Sequence, residues 1–284
     1  MSWGGLVRFL ASFPVLVRIY RLSRAAAQSL LRTLYMTLCA NFRPLVRLYY
    51  RHVRFSLDTL MAQRLDNYSR SCDDFVVLQL GANDGFSRDP IHRFIMRDDW
   101  SGVLVEPQPT VYERQLCRTY HACPRLQLVN AALDESCGAK ELFRISFSER
   151  RWATGLSSFC REPLEMAVES GYVDYHCQYY FEQTPEDRND YIDSVLVPTV
   201  DFETLFRDYK LPCLDLLQID CEGYDGEVLR MFPFDDIRPK FVNFESLHLD
   251  DQGKKEAIDL LESYGYSCSV GSTDTFCEHR GDRR

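Results

Sequence analysis

The chain has 284 residues, of which 45% are hydrophobic and 26% charged, a composition typical of a globular protein with one large domain and a full core. Its net charge of −9 is unevenly distributed, because residues 1–57 contain nine arginines and no acidic residue. The rest of the chain is therefore strongly acidic. This excludes broad nonspecific nucleic-acid binding, which depends on basic side chains that neutralise phosphates.

Residues 1–65 predict a basic, amphipathic helical extension. Helical patterns cover residues 25–36 and the segment after Asn41, which we interpret as a helix cap with Pro44 in the first turn. Arginines recur at helical spacing in this second segment, at positions 43, 47, 51 and 54. Three interpretations stay open: a helix in a membrane interface, an arm packed on the acidic body, and a mitochondrial presequence. Arginines interrupt the apolar stretches before they reach the roughly twenty residues that a membrane-spanning helix needs.

From residue 75 onward, apolar runs alternate with helical patterns. We predict strands at residues 75–80, 103–106, 126–131, 195–200, 214–219 and 241–244, an edge-like segment at 141–147, and a final pair near 267–270 and 275–278. We predict helices at residues 91–96, 111–120, 202–209, 225–231 and 257–264. Strands that alternate with helices predict an α/β fold with a doubly wound, mostly parallel sheet of seven strands over residues 66–284.

Residues 148–194 interrupt this alternation. The segment is rich in tyrosine and charged residues and has little periodicity. Long segments of this kind inside compact domains are usually functional. We therefore predict an insertion that acts as a lid or recognises the substrate.

Eleven cysteines are scattered along the chain without a CxxC motif. Several of them, such as Cys213 and Cys221, lie in or beside apolar runs, where a free thiol behaves as a small hydrophobic side chain. This pattern predicts free thiols in a reducing compartment and argues against a disulfide framework and a zinc site.

Polar residues follow several of the predicted strands. Gly81 to Asn83 follow the first strand, Glu106 the second and Asp220 to Glu222 a later one, while Glu245 ends another. In open α/β sheets the carboxyl ends of the strands meet at one crevice, where ligands bind. The spacing is Gly-x-x-x-Gly, so neither a phosphate loop nor the GxGxxG of dinucleotide folds is present. The pattern favours a nucleotide ligand without a pyrophosphate.

Four motifs together resemble the FkbM family of S-adenosylmethionine-dependent methyltransferases. They are LQLGANDG at residues 78–85, VEPQP at 105–109, GLSS at 155–158, and VPTVD at 197–201 followed by LDLLQIDCEG at 214–223. The resemblance covers about residues 73–270 and implies a class I, Rossmann-like methyltransferase domain. Two positions depart from the family pattern, since Gln79 replaces its usual acid and Gln218 its usual lysine.

The resemblance also implies roles for individual residues. It implies a methyl-donor site in which Glu106 accepts the ribose hydroxyls, while Asp220 and Glu222 face the donor and the acceptor. The other residues that it implies for the donor, from the methionine side to the adenine side, are Gly81, Ala82, Asn83, Gly85, Pro107, Asn130, Ala131 and Ala132.

Transfer to a hydroxyl needs a base, because the sulfonium already supplies an activated leaving group. Asp220 is our first choice, and Glu222, Glu245 and His248 are the alternatives. The acidic group could instead bind a divalent cation, although we assign no metal ligand.

The predicted function is S-adenosylmethionine-dependent O-methylation of a glycan, glycolipid or secondary metabolite. We expect a cytoplasmic enzyme with a small-molecule or lipid-linked acceptor, no nucleic-acid partner, and peripheral membrane contact through residues 1–57. Two alternatives stay open: an NAD-dependent oxidoreductase or epimerase, and a noncatalytic scaffold with the same fold. The acceptor and the oligomeric state are not predicted.

Overall fold

The computed structural model describes residues 14–53, 56–211 and 213–281, with side chains from residue 27 onward except that of residue 28. The beginning of the predicted extension, including the prediction of a presequence, therefore lies outside the described residues, as does Arg54. No helix in the described ranges combines the length and the hydrophobicity that crossing a bilayer requires.

A seven-stranded sheet forms the centre of the described chain. Its strands, in chain order, are β1 (Val76–Leu80), β2 (Ser101–Val105), β3 (Leu126–Val129), β7 (Leu216–Ile219), β8 (Phe241–Glu245), β9 (Tyr266–Val270) and β10 (Asp274–His279). The spatial order is β3-β2-β1-β7-β8-β10-β9. The first five strands of that order are parallel, whereas β10 runs antiparallel to both of its neighbours. The predicted α/β class with a mostly parallel central sheet is confirmed.

The described residues form twelve α-helices, most of which flank this sheet. They are α1 (Pro14–Asn41), α2 (Arg43–His52), α3 (Leu60–Ser71), α4 (His92–Asp98), α5 (Pro109–Val111), α6 (Cys117–Thr119), α7 (Arg151–Thr154), α8 (Glu162–Glu169), α9 (Tyr172–Tyr180), α10 (Phe202–Tyr209), α11 (Asp225–Met231) and α12 (Asp251–Ser263). A π-helical turn, Tyr112–Leu116, joins α5 to α6. Alternate residues of β1 point to opposite faces: Leu78 joins one hydrophobic core and Val77 the other.

A second, three-stranded sheet lies outside the central one. It contains β4 (Ala132–Leu133), β5 (Gly138–Ile145) and β6 (Ile192–Val200), in the order β4-β6-β5. The strand predicted at residues 195–200 therefore exists, but our placement of it in the parallel sheet was wrong. The strand β6 instead pairs antiparallel with the long strand β5. The apolar run alone could not show which sheet it joins.

The predicted insertion is a folded unit rather than an irregular loop. Residues 148–194 contain α7, α8, α9 and a 3₁₀ turn, Arg188–Tyr191. These elements bury their own small core around Trp152, Leu164 and Val173. Helices α8 and α9 were not predicted from the sequence. Aromatic and polar residues occupy most positions of α9, whereas α8 contains the apolar residues Leu164, Met166 and Val168.

The N-terminal helices differ from the prediction in their bounds. Helix α1 extends beyond residues 25–36 in both directions, and Asn41 is its last residue rather than the cap of α2. Phe42 occupies the cap position of α2, and Pro44 lies in the first turn as predicted. Helix α3, which begins after the capping side chain of Thr59, was missed. The domain boundary predicted at residue 65 falls inside α3 and stays a prediction.

One disulfide bond contradicts the prediction that the cysteines are free. Cys268 and Cys277 are directly opposite each other on β9 and β10 and form this bond. The spacing of nine residues gave no signal, because only the hairpin brings the two side chains together. The other cysteines among the described residues form no disulfide bond.

Candidate active site

One pocket lies at the carboxyl ends of β1, β2 and β7. Its position is the switch point of the sheet, where β2 follows on one side of β1 and β7 lies on the other. It encloses about 600 Å³ of empty volume, which includes open solvent at its mouth. Eight of the predicted site residues line it: Gly81, Asn83, Glu106, Pro107, Ala131, Ala132, Asp220 and Glu222.

The glycine loop after β1 is shaped by close contacts within the protein. Gly81 has a φ of +80°, and a Cβ at this position would lie 1.8 Å from the carbonyl oxygen of Asp220. Gly85 has a φ of +77°, and a Cβ there would lie 2.5 Å from the ring of Tyr120. Glycine is therefore required at both positions by neighbouring protein atoms. Gly85 and the buried Ala82 lie behind the pocket and do not line it.

Glu106 is fixed at one end of the pocket and is 2% exposed. Its carboxylate accepts hydrogen bonds from the backbone N–H of Asn83 at 2.7 Å and of Gln108 at 2.9 Å. The Gln108 side chain adds a third at 3.3 Å. Burial raises the pKa of Glu106 to about 7, while these donors and the charge of Arg151 oppose that rise. Glu106 is therefore a positioned acceptor whose charge changes near neutral pH.

Asn130 supports the adjoining backbone instead of lining the pocket. Its side-chain amide donates to the carbonyl oxygens of Glu106 at 2.8 Å and Pro107 at 3.2 Å. This pair of bonds holds the turn that presents Glu106. Ala131 and Ala132 do line the pocket, together with Leu133 and Leu142, and give it an apolar wall.

Carboxylates gather at the other end of the pocket. Asp220 and Glu222 follow β7, Asp225 begins α11, and Glu245 ends β8. The Nε2 atom of His248 lies 3.3 Å from Glu222 and 3.9 Å from Glu245. All four residues predicted for catalysis therefore belong to one group, although Glu245 and His248 lie outside the pocket lining.

Crowding of like charges changes the protonation of this group. Burial, and then the charges of Glu222 and Asp225, raise the pKa of Asp220 well above its usual range. Burial, and then the charges of Glu222 and Asp220, likewise raise the pKa of Glu245. The contact with Glu222 raises the pKa of His248. The group therefore favours protons or another cation, because negative charges this close repel each other.

Two features of the group bear on ligand binding. Glu222 has a φ of 49°, a left-handed conformation that is uncommon outside glycine and often occurs at functional sites. One ligand atom from each of Glu222, Glu245 and His248 lies within 4.8 Å of the others. This spacing suits a divalent cation, and acidic groups commonly adopt it without one.

The insertion forms the roof of the pocket through the carbonyl oxygen of Thr154. This oxygen accepts hydrogen bonds from the side chains of Gln108 at 2.8 Å and Asn83 at 3.2 Å. Farther along, the hydroxyl of Ser158 donates to the carbonyl oxygen of Glu222 at 2.8 Å. The roof is therefore bonded to both ends of the pocket.

Sequence reasoning missed several residues that line this pocket. They include Gln108, Arg151, Thr154, Phe159 and Tyr224. Gln108 lies inside the VEPQP motif, which was a usable signal. Arg151 and Thr154 belong to the insertion, where no pattern distinguished them.

Gln79 and Gln218, the two departures from the expected family pattern, lie side by side on neighbouring strands. Gln79 and Gln218 are register partners in β1 and β7, and both are 3% exposed. Gln79 donates to Asp89 at 3.1 Å, and Gln218 accepts from Asn243 at 3.1 Å. Replacing an acid and a lysine at paired positions with two amides leaves the pair electrically neutral. Neither glutamine lines the pocket.

Comparison with known proteins identifies the family of this domain. A family model described as the methyltransferase FkbM domain matches residues 79–268, a range that contains every residue of the pocket lining. No curated protein matches the sequence.

Proposed function

The chain belongs to the FkbM methyltransferase family, and we propose that it transfers a methyl group from S-adenosylmethionine to a hydroxyl of a glycan, glycolipid or secondary metabolite. The observation that carries this proposal is that one pocket connects the buried Glu106 to the carboxylate group around Asp220. The position of the pocket at the sheet's switch point supports assignment to the class I, Rossmann-like methyltransferases.

The residues present fit this donor better than a dinucleotide. Glu106 can accept ribose hydroxyls, and the apolar wall at Ala131 and Ala132 suits a planar base. The crowded carboxylates at the other end favour a cationic ligand and repel a pyrophosphate. S-Adenosylmethionine carries a sulfonium and an ammonium, whereas NAD carries two phosphate charges.

When bound, S-adenosylmethionine supplies an activated methyl group. The protein then has to hold the acceptor hydroxyl in line and remove its proton. We assign proton removal to the Glu222–His248 pair. We assign Asp220 a hydrogen-bonding role, because burial and the charges of Glu222 and Asp225 raise its pKa and favour its protonated form. Glu222 accepts the proton, and His248, which contacts Glu222 and is about one-third exposed, can release its own proton to solvent.

Calorimetric titration with S-adenosylmethionine and with NAD tests the cofactor assignment. We expect binding of the first and none of the second. Binding of NAD alone would support the oxidoreductase alternative, and binding of neither by the folded protein would support a scaffold. Incubation with a labelled methyl donor and a lipid or glycan extract then identifies the acceptor, and label found only on nonhydroxyl groups would overturn O-methylation.

A further inference from the structure

Helix α2 packs on the domain with its basic side inward. Arg43 forms an ion pair with Asp99, and Arg47 approaches the same carboxylate at 3.6 Å. Val46 lies between them and is 5% exposed. Arg43 and Arg47 therefore pair with the acidic body, as the interpretation of a packed arm predicted.

The opposite side of α2 is apolar and faces outward. Leu45, Leu48 and Tyr49 are each more than half exposed. Their spacing places them on one face of the helix. A helix of a globular protein normally shows the reverse arrangement, with apolar residues inward and charges outward.

Helix α1 extends the same arrangement. Arg32 faces inward and bonds the buried Asp84 at 2.8 Å, and Met36 and Cys39 are buried. More than half of each large apolar side chain in this outward set is exposed. We call the set the outward apolar face: Leu30, Leu31, Leu34, Phe42, Leu45, Leu48 and Tyr49. Elsewhere in the described chain, exposed apolar residues such as Leu196 occupy separate positions.

The charge around this face favours an anionic lipid surface over a second copy of the chain. Residues 1–57 contain nine arginines and no acid, and Arg51, in the last turn of α2, is exposed. In a symmetric dimer the same patch meets itself, so two copies of the exposed Arg51 would approach each other. An anionic membrane offers hydrocarbon to the leucines and phosphates to Arg51.

The face also borders the roof of the pocket. Leu31 and Arg32 line a surface groove together with Arg151 and Trp152 of the insertion. Arg151 also lines the pocket itself. A membrane bound at α1 would therefore lie beside the segment that covers the pocket.

We propose that the outward apolar face of α1 and α2 inserts into the interface of an anionic membrane, with the helices lying along its surface. The acceptor class that this placement favours is a hydroxyl on a lipid or lipid-linked glycan. That acceptor class rests on the proposed function, whereas membrane binding does not.

Cosedimentation of the full-length protein with vesicles tests the proposal. We expect binding to phosphatidylcholine vesicles that contain phosphatidylserine, an anionic lipid of the cytoplasmic leaflet. The double variant Leu45→Gln/Leu48→Gln should lower the partition coefficient at least about tenfold, because two buried leucines are lost. Arg51→Gln should lower it about fivefold, and only for anionic vesicles. Leu196→Gln, which changes an equally exposed leucine on β6, is the matched control and should bind unchanged.

Three outcomes would overturn the proposal. They are absence of wild-type binding, unchanged binding of the double variant, and an equal loss in the Leu196→Gln control. Sedimentation velocity tests the competing interpretation, in which the face binds a second copy of the chain. That interpretation would hold if the wild type is a dimer, the double variant is a monomer, and the wild type does not bind vesicles. Titration of each variant with S-adenosylmethionine verifies its fold, and failure of that titration in the wild type would overturn the proposed function alone.

Discussion

The two ends of the pocket both present buried acids with raised pKa values, but the groups that surround these acids differ. At one end Glu106 is alone and accepts three hydrogen bonds from Asn83 and Gln108. At the other end Asp220, Glu222 and Glu245 crowd together, with His248 as the nearby imidazole. The first end surrounds one carboxylate with hydrogen-bond donors, whereas the second places several carboxylates beside one another.

This difference separates recognition from chemistry. A carboxylate held by several donors is a rigid acceptor that fits one arrangement of hydroxyls. A crowded group of carboxylates exchanges protons readily, because protonating one carboxylate reduces the repulsion among the others. We therefore expect changes at the Glu106 end to weaken donor binding, and changes at the other end to slow transfer.

The largest expected effect comes from Glu222. Glu222→Gln should lower kcat about 100-fold to 10,000-fold, the range for loss of a general base, with donor affinity nearly unchanged. The comparison variant is Asp220→Asn, which imitates a protonated carboxyl and should cost less than about tenfold in kcat. Steady-state kinetics with the acceptor identified from the extract measures both. The reverse ranking would make Asp220 the base, as the sequence first suggested.

At the other end, Glu106→Gln should weaken donor binding roughly 100-fold, because charge-assisted bonds to two ribose hydroxyls are lost. The side-chain amide of this glutamine would also place an N–H donor against the backbone N–H groups of Asn83 and Gln108, which now donate to Glu106. Calorimetric titration measures the dissociation constant. Glu113→Gln, which removes an exposed acid from the neighbouring π-helical turn, should leave that constant unchanged.

A smaller effect should follow from the pKa of Glu106, which is about 7 in the free protein. The ionised carboxylate is the form that accepts both hydroxyls, so donor affinity should fall as the pH falls through this value. Between about pH 8 and about pH 6 the ionised fraction drops about tenfold, and the affinity should follow it. Titrations across this range should show the dependence in the wild type. In Glu106→Gln this dependence should be absent, and its persistence there would assign the effect to another group.

The smallest effect concerns the support behind the glycine loop. Arg32→Ala leaves the buried Asp84 without its ion-pair partner and should lower the free energy of unfolding by about 2 kcal/mol. Urea denaturation followed by circular dichroism measures this change. Arg51→Ala, on the exposed side of the same extension, should change stability by less than about 0.5 kcal/mol. Equal effects would show that Arg32 contributes no specific support.

The central fold could be predicted to a large extent from the sequence. Largely apolar runs such as residues 214–219 indicated buried parallel strands, and their ends indicated the pocket. The insertion could not be predicted in this way, because its helices pack on one another through residues such as Trp152 and Val173 rather than by a regular stripe. Which of the two sheets contains β6 depends on its pairing with β5, and this pairing joins residues that are far apart in the sequence.

The sequence by itself determined which chemical groups are available. Local patterns set the strands, the glycine turns and the acids at the strand ends, since these depend on residues close together in the chain. Only the tertiary structure decided how the acids differ, because burial and neighbouring charges come from distant segments. The same reason explains the extension: helical spacing indicated an arginine side, but packing against Asp99 turned that side inward and left the leucines outside.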